Sequence, residues 1–225
     1  MQRYFDEELK KLKDTLFRMG DLVERAIRKA ADSLETQDRQ KAKEVIEEDQ
    51  KINILEIEID EFGHELIARM QPTAVDLRLI TMVLKITGDL ERIGDQAVNI
   101  AQEGLERSPN AGALKQDLGF SKGTDLAIQM VKGALEAFAN RDAKIAKSIC
   151  EGDDELDNWN REVNLKLQQA VETGKVGFSE AIGLITVAHN LERIGDLATN
   201  IAEDVIYVAK GIDIRHHITE RRASK

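Results

Sequence analysis

The sequence predicts an all-α protein of six long helices, arranged as two tandem, pseudo-symmetric three-helix bundles. Three observations carry that expectation. Apolar residues recur at alternating spacings of three and four along most of the chain. A segment is duplicated: LERIGDQAVNIA at 90–101 and LERIGDLATNIA at 191–202 agree at ten of twelve positions, 101 residues apart. The composition also excludes the main alternative, because 6 Phe, 2 Tyr, 1 Trp and 2 Pro in 225 residues are too few β-formers and turn residues for a sandwich or barrel.

The first helix is written in Phe5, Leu9, Leu12, Leu16, Met19, Val23, Ala26 and Ala30, the seam of a helix packed against near-antiparallel neighbours. Asp38 is placed to cap a second helix, whose seam runs from Ala42 and Val45 through Ile52, Leu55, Ile59, Phe62 and Leu66. Pro72 interrupts that seam and is expected to start a third helix, carrying Ile86, Leu90, Ile93, Ala97 and Ile100 and stopping near Ser108. Residues 109–117 read as a linker between a first bundle at 1–108 and a second at 118–211. In the second, Leu126, Met130, Ala134 and Phe138 mark a helix ending near Asn140. The next begins at Asp142 and ends at Gly174, and the last carries Val187 to Val208. Each helix is expected to be about 30 residues, or ~45 Å, long. The tail, 212–225, is expected to be disordered.

Charge and cysteine usage narrow the function. Lys and Arg total 32 against 42 Asp and Glu, and a net charge of −10 argues against broad binding to nucleic acid or anionic lipid. Cys150 is the single cysteine and reads as a small core residue in a reducing, cytoplasmic setting. No apolar run approaches the ~20 residues needed to span a bilayer, so no direct membrane insertion is expected. No phosphate-cradling, dinucleotide-binding or HExxH motif is present, and no enzymatic activity is expected.

The candidate chemistry lies in acidic stripes. Glu91, Asp95, Asn99 and Glu103 are spaced four apart, as are Glu192, Asp196, Asn200 and Asp204. This spacing sets each group along one slowly drifting stripe, opposite the seam and facing outward or into a groove. Alone, such a stripe is a solvated helix face. Here like charges are stacked at the same register in both copies, with Arg92 and Arg193 the only cations inside the motif. Asp49 and Asp153 fall beside the seams of the second and fifth helices, where an unpartnered carboxylate is costly. A shared cation would offset both penalties, and all-oxygen ligands suit Mg²⁺, Mn²⁺, Ca²⁺ or oxidised iron. Asp157 adds a further carboxylate to the second copy, where the first has Asn53, so the second site is expected to be the stronger. Gly94 and Gly195 are read as permitting close helix approach, and His189 as a satisfied structural histidine, with metal ligation as its alternative role.

Five segments resemble the PhoU family of phosphate-homeostasis regulators: 5–27, ARMQPTAVDLRLI at 68–80, DLERIGDQAVNIA at 89–101, 142–157, and NLERIGDLATNIAED at 190–204. The resemblance implies paired three-helix bundles with multinuclear iron or zinc clusters on their surfaces. Its ligand pairs fall on Glu91 with Asp95, Glu192 with Asp196, and Asp153 with Asp157, and Asp49 is matched only with Asn53. Asp76 and Arg78, in the QPTAVDLR segment, join Arg92, Arg193, Asn99, Asn200, Glu103 and Asp204 as expected partner-contacting or supporting residues. It further implies a negative regulator that contacts the ATPase subunit of the phosphate ABC importer and a sensor histidine kinase, and it is compatible with a homodimer. Two rival readings remain: a metal-free helical adaptor, and a ferritin-like di-iron protein. The latter needs two ExxH motifs, and only Glu61 with His64 supplies one.

Overall fold

A computed structural model of the chain describes residues 2–106 and 117–210. Residues 109–116 of the expected linker, and the tail with His216 and His217, lie outside the described residues. Six α-helices follow one another: α1 (Gln2–Thr36), α2 (Arg39–Met70), α3 (Ala74–Glu106), α4 (Phe120–Asn140), α5 (Ala143–Glu172) and α6 (Phe178–Lys210). α1, α2 and α3 pack pairwise into one bundle and α4, α5 and α6 into the other.

The seams dictate this packing. Leu12, Leu16, Met19, Val23 and Ile27 of α1 are fully buried, as are Ile80, Ile86, Leu90, Ile93 and Ile100 of α3 and Leu167, Ile194 and Ile201 of α5 and α6. Asp38 caps α2, accepting hydrogen bonds from the amides of Gln40 and Lys41 at 3.0 and 3.1 Å. Asp142 caps α5 in the same way, through Lys144 and Ile145 at 2.7 and 3.3 Å. Both caps satisfy amides that the first helical turn leaves without partners.

Two expectations need adjusting. Helix α3 opens at Ala74, with Pro72 outside it, because Gln71 at φ 47° ends α2 in the left-handed region and Thr73 supplies the first carbonyl, to the Leu77 amide. Helix α4 has only 21 residues instead of about 30, since it starts at Phe120 behind a left-handed Gly119.

The bundles share one hydrophobic core. They meet along α1 with α4, where Phe17 and Phe138 lie 6.1 Å apart, and along α3 with α6. Lys85 of α3 meets Asp204 of α6, and Asn99 of α3 meets Asn190, so α3 and α6 run antiparallel. The duplicated motifs therefore face one another about a local pseudo-two-fold axis. Among the described residues, no helix is long and apolar enough to cross a membrane.

Candidate functional site

Each bundle gathers carboxylates where its middle and last helices pack. In the first, α2 contributes Asp49, Asn53 and Glu56, and α3 contributes Glu91 and Asp95. Gly94 lets the helices close here, since a Cβ at that position would stand 3.2 Å from both Asp49 Oδ1 and Ile52 Cδ1. Asn53 donates to Asp49 Oδ2 at 2.9 Å, leaving Asp49 Oδ1 and Asn53 Oδ1 buried without a hydrogen-bond partner. Burial pushes the Asp49 carboxyl above its ordinary range, with Asp95 adding to it and the Asn53 hydrogen bond opposing. Burial, then Asp95, Glu56 and Asp49, raise Glu91 in the same direction, against Arg92.

The second cluster joins Asp153 and Asp157 of α5 to Glu192 and Asp196 of α6. Burial and then Asp196, Asp157 and Glu192 push Asp153 up to about 6. Asp196 is raised by burial and by Asp157, and Glu192 by burial and by Asp196. Asp153 Oδ1 and Glu192 Oε2 are buried without hydrogen-bond partners. His189 Nδ1 stands 2.9 Å from Glu192 Oε2, close enough for an ion pair without the alignment of a hydrogen bond. The His189 side chain is 59% exposed at the edge of the cluster, because position 189 lies about 200° around α6 from the seam residue Val187. Cys150 is half-buried, its thiol pushed up to about 11 by burial and then by Glu203.

The four-residue stripes do not stay on these faces. Each step of four residues turns about 40° around the helix, so three steps turn about 120°. Glu91 and Asp95 face α2, whereas Asn99 has rotated towards α6, its amide 3.5 Å from Asn190 Oδ1. Asp204 is buried in the α3–α6 interface at 5% exposure, not outward as expected, and Lys85 Nζ donates to it at 2.6 Å. Asp89 lies there too at 6% exposure, and burial, then Asp204, push it up to about 6 against Arg92 and Lys85. Glu103 is half-buried and Asn200 is exposed.

Arg92 lies 3.6 Å from Asp89, not over the cluster carboxylates, while Arg193 acts on Asp196 through its charge. Asp76 and Arg78 join neither cluster. Thr73 Oγ1 donates to Asp76 Oδ2 at 2.6 Å at the start of α3, and Arg78 Nε donates to the Ala74 carbonyl at 3.3 Å. The first turn of α3 lies about 22 Å along the helix from Glu91. His64 and Glu61 are both exposed, and His64 contacts the Asp60 carbonyl at 2.7 Å.

Glu56, Asp89 and Lys85 were not picked out from the sequence. Glu56 follows Asp49 and Asn53 at helical spacing, a signal that was there to read. Asp89 becomes Asn190 in the other copy, so the duplication itself marks it as a variable position inside the interface.

As a donor set, both clusters suit a hard cation: the donors are oxygens, several have raised proton affinity, and four are buried and unpartnered. Among the described residues, however, no three Asp, Glu, His or Cys side chains converge tightly enough to hold one ion in the rotamers they adopt. A groove of about 600 Å³ between α1, α2 and α4 lies away from both clusters. Its charges pair among themselves, as in Arg28 with Asp125 at 3.5 Å and Lys41 with Asp32 at 2.5 Å.

Comparison with known proteins agrees with this architecture. A family model described as the PhoU domain matches twice, at residues 16–104 and 120–205. The chain is 36% identical over 221 residues to a Pseudomonas putida protein named phosphate-specific transport system accessory protein PhoU homolog, covering 96% of this chain and 84% of the relative. It is 35% identical over 217 residues to the Escherichia coli (strain K12) protein named phosphate-specific transport system accessory protein PhoU, covering 94% and 88%. The crystal structure of PhoU from Pseudomonas aeruginosa superposes with a TM-score of 0.84 at 35% identity, over 92% of this chain and all of that one. That of the phosphate transport system regulatory protein PhoU from Streptococcus pneumoniae gives 0.85 at 27% identity, over 93% and 98%. The relatives are named as accessory and regulatory proteins of phosphate transport. With two copies of the family's domain filling most of its length, the chain belongs to the PhoU family.

Proposed function

We propose that this chain is a non-enzymatic regulator of phosphate uptake which restrains the phosphate-starvation response when phosphate is plentiful. It does so in the cytoplasm, by contacting the ATPase subunit of the phosphate ABC importer and a sensor histidine kinase. The supporting observation is the duplicated acidic face, repeated at one register in both bundles, in a family whose named members are accessories of phosphate-specific transport. Two such faces on one chain suit a protein that engages two partners.

The carboxylates of each face are the groups that would hold metal, iron or zinc by family resemblance, with Mg²⁺ or Mn²⁺ also matching the oxygen donors. Asp49, Glu91 and Asp95 would serve the first site, and Asp153, Asp157, Glu192 and Asp196 the second. A bound cation supplies the positive charge that lets neighbouring carboxylates ionise together. That no three Asp, Glu, His or Cys side chains converge among the described residues favours a second reading, a metal-free adaptor whose acidic faces dock basic surfaces directly. Exhaustive chelation separates the two, since only the metal-free adaptor keeps partner binding intact.

The function is tested by deleting the gene in its native host and measuring a phosphate-starvation reporter in phosphate-rich medium. Strong derepression, reversed by the wild-type chain, is the expected result. An unchanged reporter would count against the reading.

A further inference from the structure

The outer face of α6 carries more than the acidic cluster. Phe178, Ile182, Ile185, His189, Glu192 and Asp196 follow one another at spacings of four and three, so they form one stripe about 27 Å long. Its first half is apolar and open: Phe178 is 71% exposed, and Ile182 and Ile185 are exposed with it. The antiparallel register of α5 and α6, set by Asp153 and Asp157 opposite Asp196 and Glu192, puts the exposed Leu165 level with Ile185. Its second half is the four-carboxylate cluster. Single exposed apolar residues are ordinary, but a continuous row ending in a fixed pole of charge is not.

The first bundle lacks this row. The positions matching Phe178, Ile182 and Ile185 are Leu77, Thr81 and Leu84. Leu84 is drawn inward, close enough to Gly63 that a Cβ there would stand 2.5 Å from Leu84 Cδ2. The two bundles therefore present different surfaces despite their shared motif.

We propose that this face of α6 docks an amphipathic helix of a partner protein, its apolar stripe on Phe178, Ile182 and Ile185, and its Lys or Arg residues on the Glu192–Asp196–Asp157 pole. This names the partner chemistry of one face in the function proposed above and rests on that reading. Charge complementarity selects the occupant. The carboxylates repel an anionic bilayer, and a second copy of this chain, at net charge −10, brings the same acidic pole. A helix of about five turns matches the length of the stripe and fills it in the helix-in-groove mode. The same carboxylates would serve a metal ion or a basic side chain, so the two compete.

The test places a photo-crosslinking phenylalanine derivative at Phe178, and separately at Ile182, in the native host grown in phosphate-rich medium. The expected result is an adduct with another protein whose crosslinked peptide, sequenced by mass spectrometry, has apolar residues at spacings of three and four next to Lys or Arg. Its yield should fall at least fivefold in the E192Q/D196N background. The proposal is overturned by adducts only with a second copy, with lipid, or with residues 107–116 of the same chain. It is equally overturned by a peptide lacking the pattern, by a yield indifferent to E192Q/D196N, or by no adduct. The starvation reporter in the same cells keeps the two claims apart. Repression without the predicted adduct removes only the docking claim, whereas loss of repressor activity with the adduct present removes only the regulatory reading.

Discussion

Asp153 shows most directly what the packing does to a single side chain. Its folded-state pKa is raised to about 6 from an ordinary 3.8, by burial and then by four neighbouring carboxylates, Asp196, Asp157, Glu192 and Asp154. A raised pKa means that the folded state holds the proton more tightly than the unfolded chain. The stabilisation is complete below about pH 4 and is lost as pH rises through about 6. Asp89, raised to about 6 by burial and Asp204, acts in the same sense. Glu44 and Glu48, lowered chiefly by Lys29, act in the opposite sense from exposed positions. Comparison with a variant therefore isolates the effect. In chelated protein, Asp153→Asn is expected to gain on wild type by on the order of 1–2 kcal/mol between pH 4.5 and 7, read from urea unfolding. Equal pH dependence in the two proteins would contradict the environment assigned to Asp153. The acidity of this site was legible in the sequence, because an aspartate beside an apolar seam must be either partnered or strained. The contact of His189 with Glu192 was not singled out, although the seam spacing of Val187, Leu191 and Ile194 already turns position 189 outward.

Among the helices, glycines set how closely neighbours approach. A Cβ at Gly123 would meet three Trp159 ring atoms at 2.5–2.7 Å, and the indole is fixed by its hydrogen bond to the Leu118 carbonyl at 3.0 Å and its edge contact with Phe120. At Gly195 the nearest atom is the terminal methyl of Leu156 at 2.6 Å, which can turn away. Alanine improves helix propensity by about 1 kcal/mol at either site. Gly123→Ala is nonetheless expected to destabilise by roughly 2 kcal/mol and shift the Trp159 emission, while Gly195→Ala stays within about 1 kcal/mol of wild type. Calorimetry with fluorescence checks both. The helices also predict unequal metal sites. Asn53 brings no charge where Asp157 does, so a metal titration should fill two classes of site, and Asp157→Asn should weaken the tighter one towards the other. The helix cap at Asp38 and the helix start at Asp142 were readable because capping is local chemistry. The course of the stripes was misread, because a 40° drift per step is negligible over one turn and decisive over three. It carries Asp204 from an outward face into the bundle interface.

At the scale of the whole molecule, the duplication in the sequence announced two bundles but not how they join. The junction of α3 with α6 depends on which residues of one copy meet which of the other, and no periodicity within a helix encodes that. Lys85 is the clearest part of that junction, holding Asp204 at 2.6 Å beside the buried Asp89. Removing the cation leaves the buried Asp204 without its ion pair, next to an Asp89 that keeps Arg92 at 3.6 Å. Lys85→Met should therefore cost on the order of 1–3 kcal/mol, and adding Asp204→Asn should recover much of it, as urea unfolding would show. Additive losses would place the bundle junction elsewhere. If the acidic faces carry the regulation, the starvation reporter in phosphate-rich medium shows it most directly, with the deletion strain complemented by E192Q/D196N. Both substitutions remove charge that burial disfavours, so the variant should fold and accumulate as wild type does. It is nevertheless expected to fail to restore repression. Full repression by the variant at wild-type abundance would contradict that expectation.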